Sequence, residues 1–111
     1  MESSRQSKLA KQIQKDLSDI LIRMTKHLAN GKMLTVTRVR MTPDLGQAKA
    51  YVSVFPSEDS EKVISNINLH VGQVRNELGQ KLRHQVKKIP ELKFFLDDSL
   101  DYLDNIDNLL K

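Results

Sequence analysis

The stretch from Ser57 to Leu96 limits what this chain can fold into more than any other. Ile64, Ile67, Val71, Val74, Leu78, Leu82 and Val86 recur there at three- and four-residue steps. At ~100° per residue that spacing gathers them on one side of a helix. The other side carries Asn76, Gln80, Arg83 and Lys87, so one face requires a core and the other offers hydrogen-bonding groups and positive charge. Gly72 and Gly79 are expected to interrupt this helical segment. Pro90 cannot continue it and biases Ile89 towards extended backbone. The chain is therefore expected to turn at Ile89-Pro90-Glu91 into a short strand, Leu92 to Leu96.

The residues before Ser57 must supply the surface on which this segment packs. Ser3 with Gln6 forms a serine-x-x-glutamine capping box, and Ser4 with Ser7 is the other candidate start. Leu9, Ile13, Leu17, Ile20, Leu21, Met24 and Leu28 then mark a buried helical stripe that Asn30-Gly31 ends. Leu34 to Met41 is rich in β-branched residues, and its alternation slips between Val36 and Val39, which implies a bulge. Thr42-Pro43-Asp44-Leu45-Gly46 reads as a turn, with Pro43 presetting the backbone and Gly46 closing it. Ala48, Ala50, Val52 and Val54 then alternate with Lys49, Tyr51 and Ser53, giving a strand with one face for helices and one partly open. Pro56 ends the hairpin, and Ser57 is expected to cap the next helix with Glu58, Asp59 and Glu61 against its dipole.

The expected order is α-β-β-α-α-β, a two-layer α+β domain with helices on one face of a three-stranded sheet. It spans residues 1–96. Residues 97–111 form an acidic extension in which Leu100, Leu103, Ile106 and Leu110 are spaced for a short terminal helix. A chain of 111 residues fits one such domain. No apolar run approaches the ~20 residues that span a bilayer, and the N-terminus lacks the order of a secretory signal. With no cysteine, disulfides and thiolate metal sites are excluded, and a cytoplasmic location fits.

The net charge of +4 conceals a division. Five aspartates and one lysine from Asp97 onward give −4, whereas the preceding residues hold 17 Lys and Arg against nine Asp and Glu, or +8. Either the basic body binds a polyanion, its adhesion moderated by the acidic end, or the charge only keeps a small domain soluble. Lys8, Lys11, Lys15 and Lys26 share one side of the first helix, either tracking phosphates or forming a solvated face. Arg38, Arg40 and Lys49 sit on the hairpin, and Arg75, Lys81, Arg83, Lys87 and Lys88 crowd the second half of the helical segment.

Catalytic groups are not expected to converge. His27, His70 and His84 fall at separate helical positions, and no nucleophile elbow or phosphate-cradling glycine loop exists. The reading is a non-enzymatic protein with no metal, no cofactor and no small-molecule substrate. Aromatics are few, and Tyr51 is the one stacking candidate on the open face. Contacts to RNA are therefore expected to fall on phosphate and sugar.

The helix and strand order matches the type II arrangement of the KH fold, but no Gly-x-x-Gly turn joins the central helices. The segments Thr35 to Leu45 and Ala48 to Val54 resemble the ribosome-binding factor A family. So do Ile89-Pro90-Glu91-Leu92-Lys93-Phe94-Phe95 with Asp97-Asp98-Ser99, and Ile106 to Leu110. The resemblance implies a cytoplasmic, monomeric protein that binds the precursor of the 30S ribosomal subunit and its 16S rRNA. It further implies a role in late maturation and rRNA processing, including in the cold. Members carry an alanine-x-glycine kink between the central helices; here Gly72 matches the glycine and His70 stands at the alanine. The expected RNA contacts are Arg38, Arg40, Lys49, Arg75, Lys81, Arg83, Lys87 and Lys88, then Lys8, Lys11 and Lys15. Gly72 is expected to set the bend or to allow close approach of RNA. A rival reading is a protein-binding adaptor that uses the open hairpin face and the acidic end.

Overall fold

The capping box at Ser3 forms as its spacing requires. Gln6 N–H donates to Ser3 Oγ at 3.2 Å, and Ser3 N–H donates to Gln6 Oε1 at 2.8 Å. In the computed structural model, which describes residues 3–97, this cap opens α1 (Ser4–Ala29). Asn30 (φ 52°) and Gly31 (φ 87°) both take the left-handed conformation that ends it. Ile13, Leu17, Ile20 and Leu21 are wholly buried, and Leu28 nearly so. The expected stripe is thus the core face of α1, with Leu9 and Met24 packed at its margin.

β1 (Met33–Met41) and β2 (Gln47–Phe55) form the hairpin. Their antiparallel register runs Val36↔Val52 and then Arg38↔Tyr51, so Thr37 is the extra residue of a bulge. The slip in alternation seen in the sequence is this bulge: it restores Val39 and Met41 to the core after Leu34 and Val36. The turn is tied by its own side chains. Thr42 Oγ1 donates to Asp44 Oδ1 at 2.7 Å, Gly46 N–H to the same oxygen at 3.0 Å, and Gln47 N–H to Thr42 Oγ1 at 3.0 Å. The positive φ falls on Leu45 (60°), not on the glycine. A Cβ at Gly46 would lie 3.2 Å from Asp44 Oδ2, so a side chain there would press on the carboxylate that ties the turn.

The next helix starts later than expected. α2 (Ser60–Leu69) follows a turn in which Ser60 N–H bonds Ser57 O at 3.1 Å. Asp59, at φ 56°, is the N-cap residue, and its side chain makes no capping bond. Ser57 therefore does not cap the helix, since the left-handed Asp59 separates it from the first helical turn. α3 (Val71–Leu82) follows directly, and the break falls on His70. Gly72 lies inside α3 with open space around it, so a side chain there would not obstruct the bend. Gly79 does not interrupt the helix either; its Cβ would touch Ile89 Cγ1 at 3.4 Å.

α3 ends at Leu82, whose carbonyl accepts from Gln85 N–H at 2.7 Å and Val86 N–H at 3.2 Å. Val86 still packs against the core, so the apolar spacing outlasts the helix that it resembles. Lys87 and Lys88 therefore lie on the connection to β3 (Glu91–Leu96), not on a helix. β3 pairs parallel with β2, giving the sheet order β1-β2-β3.

All three helices lie over one face of the sheet, where Ala48, Ala50, Val52, Leu92 and Phe94 meet Ile13, Leu17, Ile67, Val74 and Leu78 in one core. Asn68 clamps the outer edge of β3, donating to Phe94 O and accepting from Phe94 N–H, both at 2.9 Å. That edge strand is thereby shielded by a side-chain amide. Asn66 Nδ2 likewise satisfies Leu28 O, near the end of α1, at 2.8 Å. The element order is that of the type II KH arrangement. The expected terminal helix within 97–111 lies outside the described residues, apart from Asp97.

Candidate nucleic-acid interface

The open face of the sheet results from strand alternation. With Leu92 and Phe94 turned to the core, Lys93 and Phe95 of β3 share the outer face with Lys49 and Tyr51 of β2 and with Arg38 and Arg40 of β1. The register aligns Arg40, Lys49 and Lys93 in one cross-strand row and Arg38, Tyr51 and Phe95 in the next. In the second row, the Arg38 guanidinium sits 4.5 Å from the Tyr51 ring centroid. Tyr51 stacks on Phe95 at 5.5 Å and 26°, and Lys93 Nζ lies 5.4 Å from the Phe95 ring. These rings hold Arg38 and Lys93 through cation–π contacts and leave the charges facing outward. Sequence reasoning missed Lys93 and Phe95. The signal was present in the alternation of Leu92 and Phe94 against their neighbours.

A second surface lies along α3. Gly72, Asn76, Gly79, Gln80 and Arg83 line a groove of about 560 Å³, with Ile89 and Arg75 at its side. Arg75 Nε donates to Pro90 O at 3.0 Å and Nη2 to Ile89 O at 2.7 Å. Arg75 is thus a clamp that fixes the connection before β3, a role that its sequence position, which suggests only an RNA contact, does not reveal. Gly72 leaves the helix backbone open to a close approach, whereas Ile89 covers the place of a side chain at Gly79. Lys81 is exposed on α3 outside the groove lining.

A third cluster forms at the pole where the start of α1, the hairpin turn and the α3–β3 connection meet. Arg5, Lys87 and Lys88 line a cleft of about 510 Å³ with Asp44 on its rim, and Lys8 lines the adjoining hollow. The Asp44 carboxyl is held below its ordinary range, first by the Thr42 hydroxyl, then by Gly46 N–H, with a smaller attraction to Lys88. Arg40 and Lys49 reach the same turn from the sheet face, lining a hollow with Gln6, Thr42 and Pro43. Gln6 Nε2 donates to Met41 O at 3.0 Å and so fastens α1 to this corner. The structure therefore brings Lys8, Arg40, Lys49, Lys87 and Lys88, together with Arg5, around one end of the molecule, while Arg83 stays in the groove along α3. Lys11 and Lys15 remain exposed along α1.

Two of the histidines meet, contrary to expectation. His27 and His70 pack edge to face at 4.9 Å, and His70 Nδ1 lies 2.9 Å from Asn66 O. They bring the end of α1 to the α2–α3 break. No group of three or more metal-ligating His, Cys, Asp or Glu side chains occurs among the described residues. No helix among them is long and apolar enough to cross a membrane.

Comparison with known proteins places this surface in context. The family model for ribosome-binding factor A matches residues 5–110. Ribosome-binding factor A of Christiangramia forsetii is 45% identical over 111 residues, covering 99% of this chain and 85% of that protein. The Cytophaga hutchinsonii protein of the same name is 40% identical over 110 residues, covering 99% and 83%. The crystal structure of ribosome-binding factor A from Thermus thermophilus superposes with a TM-score of 0.69 at 20% identity, covering 82% of this chain and 94% of that one. The fold is shared across that distance. On the match along its length and on its curated relatives, the chain belongs to the ribosome-binding factor A family.

Proposed function

We propose that this protein binds the immature 30S subunit through its 16S rRNA and assists late maturation and rRNA processing, including in the cold. It acts as a cytoplasmic monomer without catalysis. The observation that carries this reading is the gathering of Arg5, Lys8, Arg40, Lys49, Lys87 and Lys88 around the Thr42–Gly46 turn, in a member of a family named for ribosome binding. Arg40, Lys49, Lys87 and Lys88 contact phosphates there, with Arg38 and Lys93 on the sheet and Arg83 on α3. Lys81, Lys8, Lys11 and Lys15 extend the field that draws RNA in, because each phosphate contact releases condensed counterions. Gly72 lets an RNA backbone lie against α3.

This mode reads RNA by backbone and shape, since the faces of Tyr51 and Phe95 are already occupied by Arg38, Lys93 and each other. An adaptor for proteins would not need six cations at one pole. Gradient co-sedimentation of the purified protein with precursor small subunits tests the reading. The expected result is comigration that the triple variant Arg40→Glu, Lys49→Glu, Lys88→Glu abolishes. Comigration unchanged by these reversals would contradict it.

A further inference from the structure

The cleft at the pole joins two chemistries that phosphate binding alone does not require. Its floor is aliphatic: Leu9 of α1, Leu45 of the hairpin turn and Val86 of the α3–β3 connection are half-buried and packed against the core. Its rim carries Arg5, Lys87 and Lys88, all exposed. The volume of about 510 Å³ falls within the ~300–1,000 Å³ usual for small-ligand sites. The adjoining hollow of about 370 Å³ continues the same floor towards Lys8. An aliphatic floor accepts the face of a ring, whereas cations at the rim suit the phosphates on either side of it. A single nucleotide, base inward, meets both demands.

Asp44 decides between bases. A carboxylate on the rim repels phosphate, so a surface that only grips backbone is weakened by it. The turn does not require the charge, because an asparagine would tie it equally well through its own Oδ1. Oδ1 of Asp44 accepts from the Thr42 hydroxyl at 2.7 Å and from Gly46 N–H at 3.0 Å. These bonds hold the carboxyl below its ordinary range, so it stays ionised and can only accept. Oδ2 accepts no hydrogen bond within the described residues, and no Lys or Arg among them forms an ion pair with Asp44. Guanine alone among the four RNA bases presents two adjacent donors, N1–H and N2–H, on its Watson–Crick edge. The Gln85 side-chain amide lines the same cleft and makes no bond within the described residues, so it is available to donate to guanine O6.

We infer that the pole cleft seats one unpaired guanosine of the RNA, its base over Leu9, Leu45 and Val86, its N1–H and N2–H donating to Asp44 Oδ2, and its flanking phosphates on Arg5, Lys87 and Lys88. Unpaired bases are read in this way, through their Watson–Crick edges. The seat presupposes the RNA reading proposed above and adds one base to a grip otherwise indifferent to sequence.

Fluorescence anisotropy with the full chain tests the seat, using short oligouridylates that carry one central guanosine, inosine or adenosine. The guanosine oligomer should bind at least about fivefold more tightly than the adenosine one. Inosine keeps N1–H and lacks the N2 amino group, and should fall between them. Asp44→Asn preserves the Oδ1 acceptor for the turn and replaces Oδ2 by a donor. It should tighten binding of plain oligouridylate, because a negative charge leaves the rim, and abolish the preference for guanosine. Gln85→Ala removes no side-chain bond of the fold and should weaken guanosine and inosine alike. Equal binding of the three oligomers to the unsubstituted protein overturns the base readout and leaves the phosphate grip standing. A guanosine preference that survives Asp44→Asn overturns the seat at this cleft. If no oligomer binds, the RNA reading and the guanosine seat fail together.

Discussion

At the scale of single residues, Arg75 shows how a basic side chain is diverted from a partner to the fold. Its guanidinium spans two consecutive carbonyls, Ile89 and Pro90, a geometry that the planar fork of arginine fits and a lysine does not. Arg75→Ala, and equally Arg75→Lys, should lower stability by about 1–2 kcal/mol, read from urea denaturation. An unchanged midpoint would remove the clamp. Gly72 behaves oppositely. It is helical and nothing lies within 4 Å of a Cβ built there. Gly72→Ala should therefore stabilise the protein by up to about 1 kcal/mol while weakening RNA binding, if RNA lies against α3. Stabilisation with undiminished RNA affinity would place the RNA elsewhere. Asp44 carries a pH signature. Its folded pKa lies below the unfolded value, so the stability it contributes is present above the ordinary aspartate range and is lost as pH falls through the depressed value. Thr42→Val should move the Asp44 midpoint upward in a carboxyl NMR titration, and an unmoved midpoint would contradict that cause.

At the scale of elements, the sequence was most legible where local chemistry and tertiary need agree. Ser3 and Gln6 announce the start of α1 because the capping bonds are made within one turn. The slip between Val36 and Val39 announces the bulge because burial forces the phase of a strand. Legibility failed where tertiary structure ends a helix that periodicity would prolong. Val86 keeps the apolar spacing and packs on the core from a non-helical connection, so the pattern could not mark the end of α3 at Leu82. The break at His70, rather than at Gly72, is held by contacts with His27 and Asn66 from other parts of α1 and α2. The sheet face was half legible. Arg38, Arg40 and Lys49 can be read from the hairpin, but Lys93 and Phe95 depend on how β3 is laid beside β2. Lys93→Ala should weaken binding to rRNA by about two- to fivefold and lower the salt slope by about 1. An unaltered slope would exclude Lys93 from the interface.

For the whole molecule, the distribution of charge matters more than its sum. A net charge of +4 would be unremarked if it were evenly spread. The fold instead collects cations from α1, the hairpin and the connection to β3 at one pole, around a turn fixed by Thr42 and Asp44. Each of these segments is distant from the others in sequence. The individual side chains could thus be named from the sequence, whereas their meeting place depended on the topology. The central claim is that this pole grips rRNA through backbone phosphates. The most direct test is the salt dependence of binding between the full chain and a small-subunit precursor rRNA. A log–log plot with a slope of about −3 or steeper, made shallower by Arg40→Glu, Lys49→Glu, Lys88→Glu, is the predicted result. A flat plot, or one that the three reversals leave unchanged, would contradict it.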